Sequence, residues 1–250
     1  MKRSSKVGMT REGVNNKDRA SEWFVPKFGP PRFRYMIGML FLPYTGMVLS
    51  FTVIGSMIAE LIFWDRVIAI VIVYFLGLGI AAHALDALGS KGRPWGSTFT
   101  RSQLWIIAIV SLVLAYLIAI YYMVRYVPWL WVIALLEGFF VFAYNLEWFD
   151  GKFHKDGWFA FSWGFLPLLG GYMVQTNRVS PEALGLGLSM ALFSLIEIKA
   201  SRPYKALKSR SIDLDEHEKH LKERYEVILK SISLGVISLG IGLLIWRIRG

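Results

Sequence analysis

From Tyr35 onward, long apolar runs alternate with short polar stretches, whereas the residues before it are polar and basic. Measured against the ~20 apolar residues that a helix needs to cross a hydrocarbon core, the runs predict seven spans. They fall at 35–63, 67–85, 104–124, 127–146, 158–174, 183–198 and 227–245. The sixth is short, and Asp65-Arg66 reads as a very tight turn between the first two. Residues 1–34 then form a basic cytoplasmic amino-terminal tail, and 35–250 a transmembrane helical domain with a cytoplasmic connection at 199–226. The tail has no apolar core of the secretory-signal kind. At its end Trp23-Phe24 and Phe33 interleave with Lys27, Arg32 and Arg34, a pattern that favours the lipid headgroup layer.

Composition agrees with the pattern. Of 250 residues, 55% are hydrophobic and 18% charged, with mean hydropathy +0.46, whereas globular domains run at roughly 45–50% apolar and about 25% charged. The soluble enzyme classes are therefore mostly excluded. With no cysteine, the chain has no disulfide framework, thiolate metal site or Cys nucleophile. Of its 28 Lys and Arg, 23 fall on the side of the amino-terminal tail. Arg66, Arg125, Arg178, Arg247 and Arg249 fall on the other. The positive-inside rule then places the amino terminus in the cytoplasm and the carboxyl terminus outside. The same asymmetry accounts for the net charge of +10 without nucleic acid, for which no aromatic-and-basic platform or recognition motif is present.

Polar groups at membrane depth are costly and mark sites. Three clusters qualify, all near predicted cytoplasmic helix ends. His83 and Asp86 close the second span three residues apart, on one helix face with Gly79 a turn earlier. They suit a cation site or an acid/base pair, or else a His-Asp bond that caps the helix. The following connection, with Lys91, Arg93 and several Gly, Ser and Thr, has the makings of a phosphate cradle. In the fourth span Glu137, Tyr144 and Glu147 share a stripe, and Glu147, Asp150, His154 and Asp156 follow. Those donors suit magnesium, manganese or iron, or form a solvated loop around the Asp150-Gly151 turn. After the sixth span Lys199, Arg202, Lys205, Lys208 and Arg210 arrive without an acid among them and attract a diphosphate or an anionic headgroup.

Over about residues 31–201 the chain resembles the UbiA superfamily of intramembrane prenyltransferases. Asp86 matches a carboxylate of that family's second-helix motif, Arg93-Pro94 its Arg-Pro pair, and Thr100-Arg101-Ser102-Gln103-Leu104 its Ser-bearing segment. His83 stands where the first Asp of the motif would be, and Ser90 where the last would be. Tyr144-Asn145 and the segment from Trp163 to Tyr172, with Pro167 and Gly170-Gly171, are also similar to the middle of such chains. The resemblance implies an all-α, UbiA-like polytopic bundle in the plasma membrane. Its implied activity is transfer of a prenyl group from a prenyl diphosphate to a lipophilic acceptor at a cytoplasm-facing cavity. Asp86 and His83 are then the catalytic pair, and Lys91, Arg93, Tyr144, Asn145, Lys199 and Arg202 bind substrate. Mg2+ is held among Asp86, Glu147, Asp150, His154 and Asp156. A reading of a different class is a non-catalytic relative: a membrane-complex subunit, or a protein that binds lipid, quinone or pigment.

Overall fold

Polar side chains cap three of the helix starts. In the computed structural model, which describes residues 21–89, 98–210 and 214–250, Thr100 and Gln103 form a reciprocal capping box at 2.9 and 3.2 Å. Ser180 accepts from the Ala183 amide ahead of Pro181 and Glu182. Asp215 accepts from the Glu218 amide at 2.7 Å. Each satisfies an amide that a helix start leaves unpaired. The resulting helices are α1 (Pro31–Met57), α2 (Trp64–Gly89), α3 (Arg101–Arg125), α4 (Leu130–Asn145), α5 (156–176), α6 (Pro181–Ser209) and α7 (Glu216–Arg249). The described residues are otherwise turn and loop, with no strand. Of these helices α1, α2, α3, α6 and α7 are long and apolar enough to cross a membrane. Helix α4 is apolar with 16 residues, and α5 carries Pro167 and Gly170-Gly171 within it.

Several boundaries differ from the sequence expectation. Asp65-Arg66 is not a turn but the first turn of α2, where the carboxylate suits the positive end of the helix dipole. The chain reverses earlier, between Met57 and Trp64. Helix α1 starts at Pro31, inside the predicted tail, and is broken at Phe41, whose φ of 43° is left-handed. Helix α6 runs to Ser209 through Pro203, so the basic run after Ile198 is helical. The charged segment before Val227 and the apolar segment after it form one continuous helix.

Successive helices run in alternating directions. At one end the Phe63 amide donates to Gln175 Oε1 at 2.7 Å and the Trp129 amide to Asn177 Oδ1 at 2.9 Å. At the other, the Asp86 end, Tyr44 donates to Ser201 Oγ, and Thr45 meets His83. Helices α1 and α5 are therefore parallel, and they touch through backbone. A methyl group built on Gly55 would lie 2.0 Å from the Leu168 carbonyl oxygen, and one on Gly171 would lie 2.0 Å from that of Thr52. Ser56 Oγ donates to the Gly171 carbonyl at 2.9 Å. Small residues at such a crossing replace the hydrophobic drive that lipid does not supply. Around it Met47, Phe51, Met57, Leu166 and Leu168 are fully buried. Helix α6 closes on α5 at Gly164, and α7 on α1 at Gly240.

Two π-helical segments interrupt this pattern, Phe75–Ala81 in α2 and Phe161–Phe165 in α5. Each shifts the register of the helix beyond it, and such bulges are frequent at functional sites. They lie on either side of His83.

Gly55→Ala must push the backbones of α1 and α5 apart, and overpacking of this kind costs about 1–3 kcal/mol. Gly185→Ala, where a methyl group meets nothing within 4 Å, should instead be neutral or gain up to about 1 kcal/mol of helix propensity. Thermal melting of the two variants in the same detergent separates these outcomes; equal shifts would count against the crossing.

Candidate functional site

The Asp86 end gathers side chains from four helices. Tyr144 closes α4, buried at 5% exposure. The chain leaves it through a run of left-handed residues, Glu147 (φ 52°), Phe149 (58°), Asp150 (56°) and Gly151 (71°), and this turn folds the loop back over the helix end. His154 consequently stacks on the Tyr144 ring, with centroids 4.5 Å apart, and its Nδ1 lies 2.9 Å from the Tyr144 carbonyl oxygen. Asp156 then starts α5 and ion-pairs with two cations of α6, Lys199 at 2.8 Å and Arg202 at 3.0 Å. The Arg202 guanidinium also stands beside the Tyr144 hydroxyl, with the Asp86 and Asp156 carboxylates close enough to act on it electrostatically. Two acids, two cations and a phenol thus share one place at the mouth of the bundle.

Just inside it, His83 is held by a chain of causes that starts in the backbone. The break at Phe41 exposes the Leu40 carbonyl, which accepts from Thr45 Oγ1 at 2.6 Å. That commits the only proton of the hydroxyl. His83 Nε2, 3.3 Å from the same oxygen, must therefore carry a hydrogen. The imidazole lies between the Phe41 ring at 4.9 Å and the Trp163 ring at 5.2 Å, and Trp163 stacks on Phe159. The methyl group that Gly79 lacks would meet Thr45 at 2.9 Å, so Gly79 and His83 do share a face.

Of the residues singled out by sequence, Asp86, Tyr144, His154, Asp156, Lys199 and Arg202 come together, with His83 beneath them. Asn145 is buried, but its amide is turned back on its own helix, donating to the Val141 carbonyl at 2.8 Å. Glu147 and Asp150 are exposed, because the left-handed turn directs them outward. Among the described residues no three His, Asp or Glu side chains group as metal ligands. Lys91 and Arg93 lie outside the described residues.

Other polar contacts were not foreseen. Ahead of α1, Glu22 is buried at 6% exposure and accepts from Lys208 at 2.9 Å and Tyr204 at 3.2 Å. Lys230 lies 5.4 Å from the centre of the Trp23 ring. The anchor near Trp23 is thus made on α6 and α7, and its key charge is the acid beside the tryptophan. No known family, curated protein or solved structure matches this chain.

Thr45→Val keeps the shape of residue 45 and removes both its hydrogen bond to the Leu40 carbonyl and the acceptor of His83, at about 1 kcal/mol for each lost hydrogen bond. In 15N spectra of histidine-labelled protein, the wild type should show a protonated Nε2, and the variant should lose that signature. An unchanged spectrum would contradict the hydrogen assigned to Nε2.

Proposed function

We propose that the chain is a multi-pass membrane prenyltransferase of UbiA-like type. In this reading it has seven spans with the amino terminus in the cytoplasm, in the plasma membrane, and takes a prenyl diphosphate and a lipophilic acceptor. The observation that carries the reading is the meeting of Asp86, Tyr144, Asp156, Lys199 and Arg202 at one end of an apolar bundle, directly above the aromatic set of His83, Phe159 and Trp163.

In this reading Lys199 and Arg202 receive the diphosphate charge, together with Lys91 and Arg93. Without substrate they are held by Asp156, so the anion they bind exchanges for an internal carboxylate. Arg202 serves best here, because its planar fork matches phosphate oxygens. Such cations stabilise the charge that develops on the leaving group. In this reading the prenyl carbon becomes electron-poor beside the rings of Trp163, Phe159 and Phe41, since π faces favour positive charge. Magnesium commonly binds through one or two carboxylates together with substrate phosphates, and in this reading Asp86, which acts electrostatically on the Tyr144 hydroxyl, would supply one of them. When bound, the ion would neutralise diphosphate charge.

The pairing of Asp156 with two cations also suits a second reading, a non-catalytic subunit or lipid-binding protein that holds an anionic headgroup. The two separate on purified protein in nanodiscs supplied with geranylgeranyl diphosphate. Prenyl transfer predicts magnesium-dependent binding that Asp86→Asn abolishes and that Arg202→Ala weakens about tenfold or more. Binding indifferent to magnesium and to Asp86, or a stoichiometric membrane complex without diphosphate binding, would favour the second reading and sink the first.

A further inference from the structure

Away from the Asp86 end, α2, α3 and α4 enclose a cavity of about 70 Å3. Its walls are aliphatic except for Glu137, Tyr74 and Tyr116. Glu137 sits midway along α4, roughly 10–12 Å from either helix end at the α-helical rise. Both its carboxyl oxygens are buried and neither has a hydrogen-bond partner. An unpaired polar group costs several kcal/mol in apolar surroundings, so the carboxyl group calls for a complement.

The two tyrosines supply little of it. The Tyr74 hydroxyl is close enough to interact with Glu137, outside ordinary hydrogen-bond geometry, and donates to the Leu166 carbonyl at 3.2 Å. The Tyr116 hydroxyl donates to the Ala134 carbonyl at 2.7 Å. With both phenol protons directed at backbone, the acceptor oxygen of the carboxyl group lacks a donor inside the cavity, and the O–H of a neutral carboxyl also needs an acceptor; a hydroxyl group complements both. A cation would have to shed its hydration against aliphatic walls; a hydroxyl does not. The seam between α3 and α4 is where such a molecule enters. Tyr116 lies across it, and Gly138 is the residue that makes room, since a methyl group there would stand 2.1 Å from the Tyr116 oxygen. Around that seam Leu117 and Leu135 are exposed, so the approach is apolar.

We infer that this cavity binds an apolar membrane molecule carrying a hydroxyl group, whose proton is accepted by Glu137 while its tail extends between α3 and α4. The volume accommodates the head and its first carbons. Neither prenyl transfer nor the residues around Asp86 enter this site, which lies deeper on α2 and α4.

The test uses the full chain in detergent with dicyclohexylcarbodiimide, an apolar reagent for carboxyl groups shielded from water, and mass spectrometry of the peptide containing Glu137. The probes are 1-dodecanol and methyl dodecyl ether, which share a tail but differ in the donor. At a dodecanol concentration about ten times its dissociation constant, labelling of Glu137 should slow about tenfold, and the ether at that concentration, bound about tenfold more weakly for want of the hydrogen bond, should slow it about twofold or less. Equal protection by both, protection by neither, or a Glu137 that does not label at all would overturn the inference. Glu137→Leu removes an unpaired polar group and should fold at least as stably as the wild type. It should bind radiolabelled dodecanol about tenfold more weakly; unaltered binding would equally overturn the assignment.

Discussion

The contact of α1 with α5 determines where the other helices can go. Gly55 rests on the Leu168 carbonyl and Gly171 on that of Thr52, a distance of approach that no side chain larger than hydrogen allows. Because the two helices are parallel, this crossing brings Thr45 and Trp163 to the same level. His83 of α2 is then the group that fits between the break at Phe41 and the Trp163 ring. The geometry of the candidate site therefore descends from a backbone contact well below it. Apolar side chains gain little from one another relative to lipid, and close van der Waals contact with a few internal hydrogen bonds must fix the arrangement.

Hydropathy locates the helices well and their ends poorly. Each apolar run corresponds to a helix, yet Asp65-Arg66, polar and short, has the look of a turn and is instead the start of α2. Hydropathy reports which residues tolerate hydrocarbon, whereas a helix stops only where its terminal backbone groups find other partners. Helix α6 runs past Ile198 and α7 begins before Val227 because neither charged residues nor Pro203 end a helix that is packed on its neighbours. The break at Phe41 is not legible at all. A left-handed phenylalanine inside an apolar run leaves no mark on the periodicity.

For the site, the amino-acid sequence identifies the right kinds of group but not their directions. Asp156 and Glu147 look alike as acids beside α4; one starts a helix and reaches two cations, and the other is turned outward by the left-handed loop. Thr45 and Trp163 escape notice, since one hydroxyl and one indole within apolar runs do not stand out. Their importance comes from tertiary position. Glu137 is visible because a carboxylate in mid-helix is rare, but its tyrosine neighbours come from two other helices and cannot be read from its own stripe.

The charge asymmetry of the chain takes on another meaning at the end poor in cations. Arg66 spreads its guanidinium over the Phe63 ring, 4.0 Å from the centroid, and donates to the Val174 and Gln175 carbonyls at 3.3 and 3.4 Å. Arg247 donates to the carbonyls of Ala59 and Glu60. Both arginines answer oxygens that a helix leaves unpaired where it ends, and both join elements remote in sequence. They serve there as mortar between helix ends, each keeping its charge while its planar fork of donors ties one element to another.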